Sequence, residues 1–356
     1  MTDILAELNP QQQKAVAAPP GPILVLAGPG SGKTRVLTFR IAYLIAVKNV
    51  PAYQIMAVTF TNKAAREMGQ RVAGLLGENA DGLWLGTFHG ICGRILRREA
   101  EYLPVDPNFV IFDADDQLTL IKRVIKESRL NEKEYSPRLV LAKISNAKND
   151  LFTPDEFPLL SYRDETIQAL YKAYQAYLVA SNAMDFDDML LYTAHLLENQ
   201  PTVRQKYARR FQHILVDEFQ DTNLAQYHLL SHLASQHNNL FVVGDEDQSI
   251  YRWRGADYRN VQRFTDSFKA HEKILLEQNY RSTQTILDSA VAVINENPHR
   301  TEKKLFTARG RGEAVIVYEA PDDHDEAAYV ADIIARQVSL GEARESDFAI
   351  MYRTNA

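Results

Sequence analysis

The stretch LVLAGPGSGKTRVL, Leu24–Leu37, joins an apolar run to a glycine-rich turn and then to a Lys-Thr pair. The Gly-Ser-Gly turn at residues 30–32 permits backbone N–H groups to point inward, and a helix beginning near Lys33 would add a dipole that favours anions. Lys33 offers a positive charge to phosphate oxygens, and Thr34 offers a hydroxyl ligand to Mg²⁺. The pattern departs from GxxxxGK[ST] because Ala27 occupies its first position. The stretch nevertheless predicts a nucleoside triphosphate site between a strand and a helix.

Further apolar runs on both sides of this stretch predict an α/β fold. Those in the first hundred residues are each followed by an amphipathic stretch of helical period, which is typical of a series of βαβ units and hence of a parallel sheet. The predicted strands are PILVLAG (22–28), IMAVTF (55–60), LWLGTF (83–88), HILVDE (213–218), LFVVGD (240–245), AVIVYEA (314–320) and DFAIMYR (347–353).

Between the early and late strands the pattern changes to helices rich in Lys, Glu, Leu and Tyr. We therefore predict a first α/β domain over 1–110 and 200–276, an all-helical insertion over 111–199, and the start of a second α/β domain over 277–356. The tyrosines of YKAYQAY, Tyr171, Tyr174 and Tyr177, have a helical spacing that favours packing within the insertion.

Composition narrows the class of protein. The 356 residues are 46% hydrophobic and 24% charged, which is ordinary for a globular chain of more than one domain. The only cysteine, Cys92, excludes an internal disulfide, and the N-terminus lacks a secretory leader, so we expect a cytoplasmic protein without a membrane span. A net charge of −6 gives no overall attraction to nucleic acid, so a polyanion would have to bind in a local groove.

A phosphate-binding turn needs a carboxylate for the metal and a group that activates water. ILVDEFQD places Asp217 and Glu218 at the carboxyl end of an apolar strand, where ligands bind in open α/β sheets. We assign Asp217 to Mg²⁺ and Glu218 to the general base. Gln248, after the next strand, would sense the γ-phosphate. Its neighbours Asp245 and Asp247 we interpret as solvated loop acids.

With these residues in view, the chain resembles the UvrD/PcrA/Rep group of superfamily 1 DNA helicases. The resemblance covers essentially the whole chain, and this group tolerates Ala at the first position of the phosphate-binding motif. The matching motifs occur in the family's order: LNPQQ (8–12), AGPGSGKT (27–34), TFTNKAAREM (59–68), GTFHGICGRILR (86–97), VDEFQDTN (216–223), GDEDQSIYRWRGA (244–256) and LEQNYRST (276–283).

The resemblance implies RecA-like domains, ATP and Mg²⁺ as cofactors, and 3′–5′ movement along single-stranded DNA, with action at single-strand/duplex junctions in repair or replication. Gln12 would read the adenine edge, Tyr280 would stack on adenine, Arg281 would reach the γ-phosphate, and Gln248 would couple that phosphate to DNA. The implied nucleotide-binding residues are Gln12, Gly30, Ser31, Gly32, Lys33, Thr34, Arg35, Tyr280 and Arg281. The implied DNA-binding residues are Phe60, His89, Phe186, Tyr251, Trp253, Arg254 and Asn355.

Several of these assignments have plainer alternatives when the residues are taken alone. Aromatic and arginine side chains in YRWRG suit base stacking, but they also suit an ordinary amphipathic surface. Phe60 and Phe88 alone would be assigned to the core, and His89 would be a structural histidine.

The family's two last motifs, which carry a second arginine for the γ-phosphate, have no match in the chain. We therefore expect an N-terminal motor portion with weak or no unwinding by itself. The alternative function is an ATP-gated single-stranded DNA-binding module without productive hydrolysis. A small-molecule kinase is disfavoured by the motifs at 244–256 and 276–283.

Overall fold

The protein is described by a computed structural model over residues 4–77, 80–250, 255–257, 259–297 and 300–352. The strands of the described residues are β1 (Ile23–Ala27), β2 (Ile55–Thr59), β3 (Trp84–Thr87), β4 (Val110–Phe112), β5 (Ala183–Asp185), β6 (His213–Val216), β7 (Leu240–Gly244), β8 (Glu272–Leu276), β9 (Gln278–Asn279) and β10 (Phe306–Thr307). Six of them form one parallel sheet in the order β3-β2-β6-β7-β1-β8. The predicted α/β class with a parallel sheet is confirmed.

The central strands are buried on both faces, which is why they are almost wholly apolar. Along β1, Leu24 and Leu26 join one hydrophobic core, whereas Ile23, Val25 and Ala27 join a second core on the other face. This division follows from the two-residue period of a strand. Because β1 lies between β7 and β8, the turn that follows it emerges in the interior of the sheet's carboxyl edge.

Helices cover both faces of this sheet and connect its strands. The helices of the described residues are α1 (Pro10–Ala17), α2 (Lys33–Ala46), α3 (Asn62–Leu76), α4 (Phe88–Arg98), α5 (Ala114–Glu127), α6 (Pro137–Asn149), α7 (Tyr162–Ala180), α8 (Phe186–Asn199), α9 (Pro201–Arg210), α10 (Leu224–Ala234), α11 (Arg259–Ser267), α12 (Gln284–Ile294) and α13 (Asp323–Ser339). None of those helices combines the length and apolar character that a membrane crossing requires.

The predicted helical insertion has a core of its own, made mainly by α5, α6 and α7. Tyr171 and Tyr174 are fully buried in this core, and Tyr177 packs against it, which confirms the predicted packing of the three tyrosines. The insertion is not entirely helical, because β4 and β5 pair as two short parallel strands. Its last helix, α8, packs against α4 and α10 and shares the core of one sheet face.

The chain divides into two compact units, Met1–Gly310 and Arg311–Ala356, while the predicted boundary at residue 277 stays a prediction. In the second unit, α13 is capped by Asp322, and the rings of Tyr318 and Tyr329 stack at 3.7 Å. The strands predicted over 314–320 and 347–353 are wrong for the described residues there, which form no ladder. An apolar run becomes a strand only where a neighbour accepts its backbone hydrogen bonds.

Candidate active site

The turn after β1 is shaped by glycine and enclosed by a later segment. Gly30 and Gly32 have φ of +65° and +86°, in the left-handed region that a side chain disfavours. A Cβ on Gly30 would lie 2.7 Å from Nδ2 of Asn279, so the turn has no room for one. Ser31 is buried, and its hydroxyl donates to the Gly28 carbonyl at 2.7 Å. This arrangement suits an anion cradle of backbone N–H groups at the start of α2.

Lys33, which follows β1, contacts residues that follow two other strands of the sheet. Its Nζ lies 3.1 Å from Oε2 of Glu218, which follows β6, and 3.3 Å from Oε1 of Gln248, which follows β7. The Lys33 side chain is only 10% exposed, so its charge acts in a poorly screened setting. The structure thus brings together the three residues that the sequence assigned to phosphate binding, base catalysis and γ-phosphate sensing.

Thr34 and Asp217 form the pair predicted to hold Mg²⁺. The Thr34 hydroxyl donates to Oδ2 of Asp217 at 3.1 Å. Burial and the neighbouring charge of Glu218 raise the pKa of Asp217 to about 6, against the opposing effects of Thr34 and Lys33. Because burial and a neighbouring negative charge disfavour the ionised form of Asp217, a cation bound beside this carboxylate would stabilise it.

The donor set fits Mg²⁺ rather than a metal held by protein alone. Within the described residues no group of three or more His, Cys, Asp or Glu side chains is arranged to hold a metal ion. Mg²⁺ is usually bound through one or two protein oxygens together with substrate phosphates and water. One carboxylate and one hydroxyl beside a phosphate cradle match that pattern.

Glu218 occupies a backbone conformation that its residue type rarely adopts. Its φ is +50°, and its backbone N–H donates to Oδ1 of Asp217 at 3.1 Å. Its carboxylate also accepts a hydrogen bond from Nε2 of Gln220 at 2.9 Å. Strained residues of this kind are frequent where a side chain must point into a reaction site.

The residues predicted to bind adenine come from the start and from the last part of the first unit, Met1–Gly310. Gln12 is buried and donates to the Ser31 carbonyl at 3.0 Å, so it also braces the turn. Tyr280 is 46% exposed, and its hydroxyl accepts from Nδ2 of Asn9 at 2.7 Å. The backbone N–H of Tyr280 donates to the Gly30 carbonyl at 2.9 Å. An exposed ring is therefore held beside the glycine turn, where the sequence predicts that it stacks on adenine.

The two remaining residues that were predicted to bind nucleotide, Arg281 and Arg35, also lie close to the glycine turn. Arg281 directly follows Tyr280, and its Cβ would lie 2.8 Å from a Cβ on Gly30. Arg35 lies on the first turn of α2, paired with Glu7 at 3.0 Å.

Sequence reasoning missed Asn9 and Asn279, although both occur inside quoted motifs. Asn279 donates to the Pro29 carbonyl at 2.5 Å and accepts from the backbone N–H of Arg281 at 2.8 Å.

The interpretation of Asp245 and Asp247 as solvated loop acids was wrong. Asp245 is fully buried, and Asp247 is 11% exposed at its side chain. Lys303 and Arg300 form ion pairs with them at 2.7 and 3.0 Å. Carboxylates of this kind are buried only when they are paired. The partners lie more than fifty residues later in the chain, out of reach of a local motif.

A cavity of about 480 Å³ lies beyond the strand ends, between the sheet and the helical insertion. It is lined by the aromatic side chains of Phe60, Phe88, His89 and Phe186 and by the amides of Asn149 and Asn223. The rings of His89 and Phe186 meet edge to face at 5.5 Å. Burial lowers the pKa of His89, so its imidazole is neutral at pH 7. Sequence reasoning missed the two asparagines.

The structure brings Phe60, His89 and Phe186 to this one cavity, while Phe88 is also a core residue at 5% exposure. The predicted DNA-binding residues Tyr251, Trp253, Arg254 and Asn355 lie outside the described residues.

Lys148 fixes the N-terminus of α8, which presents Phe186. Its buried ammonium lies 2.7 Å from Asp185 and 2.8 Å from Asp188.

Comparison with known families agrees with this site. Residues 8–269 match the UvrD/REP helicase N-terminal domain, and residues 274–356 match the UvrD-like helicase C-terminal domain. The chain belongs to the UvrD/REP helicase family. That membership confirms the resemblance read from the motifs.

Individual relatives in the UvrD/REP helicase family are similar along nearly the whole chain. The ATP-dependent DNA helicase PcrA of Bacillus subtilis is 48% identical over 355 residues, covering 99% of this chain and 48% of the relative. PcrA of Staphylococcus aureus strain Mu50 is 47% identical over 358 residues, covering 100% of this chain and 49% of the relative. PcrA of Leuconostoc citreum is 47% identical over 352 residues, covering 98% and 47%. The chain thus spans about half the length of these curated relatives.

Proposed function

We propose that this chain binds ATP with Mg²⁺ and forms the ATP-hydrolysing part of a DNA helicase that moves along single-stranded DNA. The observation that carries the proposal is the convergence of Lys33, Glu218 and Gln248 from three strand ends, at 3.1 and 3.3 Å. These groups meet beside a glycine turn that opens a helix. Positioning and charge stabilisation are what phosphoryl transfer needs from a protein.

Each residue has a distinct role in the proposal. Lys33 binds the β- and γ-phosphates, and Thr34 with Asp217 would hold Mg²⁺, which would supply positive charge beside the phosphates. Glu218 accepts the proton of the attacking water, and Arg281 and Gln248 contact the γ-phosphate. Gln12, Arg35 and Tyr280 bind the nucleoside side, with the exposed Tyr280 ring stacking on the base.

The DNA path in this proposal runs through the aromatic cavity that Phe60, His89 and Phe186 line. Aromatic faces stack on bases with little regard to sequence, which suits a protein that travels along a strand. Movement in the 3′–5′ direction and action at single-strand/duplex junctions are proposed from family membership. Both relatives from B. subtilis and S. aureus carry the name ATP-dependent DNA helicase.

The test is steady-state ATP hydrolysis by the chain, with and without a short poly-dT strand. Glu218→Gln serves as the blank, since it removes the base while retaining size and polarity. Glu132→Gln, an exposed acid between α5 and α6, is the matched control and should keep the parental rate. We expect DNA to stimulate hydrolysis in the parent and in the control, but not in the blank.

Other outcomes separate the alternatives. Binding of nucleotide and poly-dT without hydrolysis above the blank would favour the ATP-gated DNA-binding module. Hydrolysis that is indifferent to DNA would contradict coupling between the phosphate-binding turn and the aromatic cavity. A tailed duplex labelled at one strand then tests direction: displacement from a 3′ tail supports the proposed polarity, and displacement from a 5′ tail refutes it.

A further inference from the structure

A short segment after α12, residues 300–303, pairs with three consecutive acids that follow β7. Arg300 forms a two-point ion pair with Asp247, through Nε at 3.1 Å and Nη2 at 3.0 Å. Thr301 donates to both carboxylate oxygens of Glu246, each at 3.0 Å. Lys303 donates to Oδ1 of Asp245 at 2.7 Å. We call residues 300–303 the acid-binding segment.

The Lys303–Asp245 pair is the buried centre of this contact. Both side chains have 0% exposure, and Lys303 Nζ also lies 3.0 Å from Oδ2 of Asp247. Burial by itself lowers the pKa of Lys303, but the two carboxylates raise it above its usual value. Two ions are removed from water here only because each compensates the other. Lys303 therefore holds the Asp245 carboxylate in a fixed position.

The Asp245 carboxylate decides how the Gln248 amide is oriented. Its other oxygen, Oδ2, accepts from Nε2 of Gln248 at 2.7 Å. The opposite end of that amide, Oε1, accepts from Nζ of Lys33 at 3.3 Å. A carboxylate can only accept and an ammonium can only donate, so the amide has a single orientation that satisfies both partners. The hydrogen-bond chain runs from Lys303 through Asp245 and Gln248 to Lys33.

We propose that Lys303 is a positioning residue for the γ-phosphate site, acting through Asp245 to hold the Gln248 amide with its oxygen towards Lys33. This inference rests on the proposed function, because it assumes that Lys33 and Gln248 meet a nucleoside triphosphate. It also ties the acid-binding segment to the phosphate-binding turn. Leu305, two residues further on, lies against Gly28, where a Cβ would come within 2.3 Å of its Cδ2.

The consequence is a specific loss of discrimination between ATP and ADP. Without Lys303, the Asp245 carboxylate loses the buried ammonium that holds it in position against Gln248 and is left without a compensating charge. The Gln248 amide is then free to rotate and present its NH₂ group to Lys33. Recognition of the γ-phosphate suffers, whereas contacts to the nucleoside and to the β-phosphate are unaffected.

The experiment measures Kd for ADP and for a non-hydrolysable ATP analogue, both with Mg²⁺, and takes their ratio. It compares the parent chain with Lys303→Met, Gln248→Ala and the double variant. We expect each single variant to lower the preference for the triphosphate by about 10-fold, the scale of one hydrogen bond to a charged group. The double variant should lose no more than either single variant, because both act through one amide.

Two further variants distinguish positioning from loosening of the fold. Thr301→Val removes the neighbouring hydroxyl hydrogen bond to Glu246, which does not contact Lys303 or Asp245 through its side chain, and should leave the ratio unchanged. If Lys303→Met does not fold, the paired variant Lys303→Met with Asp245→Asn removes both charges at similar volume and should still lower the ratio. Melting curves with each variant report folding separately.

The proposal is overturned if Lys303→Met keeps the parental ratio, if Thr301→Val lowers it equally, or if the losses in the double variant add. These measurements need no turnover. A parent chain that binds nucleotide but shows no DNA-stimulated hydrolysis would therefore defeat the proposed function while leaving this inference to be decided by the ratios. A parent chain that binds neither nucleotide would overturn both.

Discussion

The hydroxyl of Thr34 lies 3.1 Å from Oδ2 of Asp217, although the two residues are 183 positions apart in the chain. One begins α2 beside β1, and the other follows β6. The two strands run parallel in the same sheet with β7 between them, so their carboxyl ends share an edge. A hydroxyl and a carboxylate at hydrogen-bond distance are both available to a small, hard cation.

Asp217→Asn should therefore separate metal-dependent binding from stability. We expect Mg²⁺-dependent affinity for ATP to fall at least about 10-fold, since a ligand of the ion is lost. The melting temperature at pH 7 should be unchanged or higher. The pKa of Asp217, raised to about 6 in the fold, means that its ionised form is destabilising at neutral pH, and the amide removes that charge.

The measurement is an ATP-analogue titration in Mg²⁺ and in chelator, together with a melting curve. Asp266→Asn, an exposed acid on α11, is the control and should change neither result. Equal nucleotide affinity of Asp217→Asn and parent in Mg²⁺ would show that the metal is held elsewhere.

The site residues that could be predicted from the sequence are mostly those that belong to short local motifs. Lys33, Thr34, Asp217, Glu218 and Gln248 all lie in or just after the turn that follows an apolar strand, and parallel strands bring such turns to one edge. Their roles stay predictions until they are tested. The positions of these residues, however, could be inferred without knowing any distant contact.

What the sequence did not predict depends on contacts between distant segments. Asp245 looked like a loop acid because its partner, Lys303, is 58 residues away. The strand β8 was missed, since EKILL is short and begins with two charged residues. The apolar run at 314–320 was predicted as a strand from its composition, but composition carries no information about whether a neighbouring strand is present.

Cys92 should resist thiol reagents in the folded chain. It is fully buried, and burial raises the pKa of its thiol to about 12 although a hydrogen bond with Thr193 opposes the shift. The thiolate is the reactive form, so both exposure and ionisation are lacking. We expect negligible labelling by a chromogenic disulfide at pH 8 and complete labelling in denaturant.

Ser235→Cys, at an exposed position after α10, provides the comparison, and its added thiol should react at once in the folded chain. Rapid reaction of Cys92 in the parent would show that α4 opens readily, contrary to its place in the core between sheet and helices.

His213 should make the fold less stable in acid. Burial, with the nearby charges of Arg40 and His237, lowers the pKa of His213 to about 4, and its Nδ1 accepts from Nδ2 of Asn239 at 2.7 Å. The unfolded chain, with an ordinary histidine pKa near 6.5, binds the proton first as pH falls. The stability contributed by neutral His213 is therefore complete above about pH 6.5 and is lost as pH falls towards 4.

Because the side chain is partly exposed, we discount the shift for solvent and expect a loss of about 1–2 kcal/mol across that range. Denaturant unfolding at pH 7 and pH 4.5 measures it. His213→Gln, which cannot be protonated, should show a smaller fall than the parent over the same interval. An identical fall in both proteins would assign the acid sensitivity to other groups.

Phe186 should contribute to single-strand binding and not to nucleotide binding. It is 44% exposed at the start of α8, where it lines the aromatic cavity and meets the ring of His89. A base stacked on such a ring is stabilised by about 1–3 kcal/mol, so Phe186→Ala should weaken poly-dT binding roughly 5- to 150-fold.

Fluorescence anisotropy of labelled poly-dT measures this loss, and a parallel titration measures the ATP analogue. Phe152→Ala is the matched control, because Phe152 is similarly exposed at 37% but lies outside the aromatic cavity. An equal loss in both variants would point to general loosening of the helical insertion. Unchanged poly-dT affinity in Phe186→Ala would place the strand elsewhere, because the lost ring is one of the cavity's few exposed stacking surfaces.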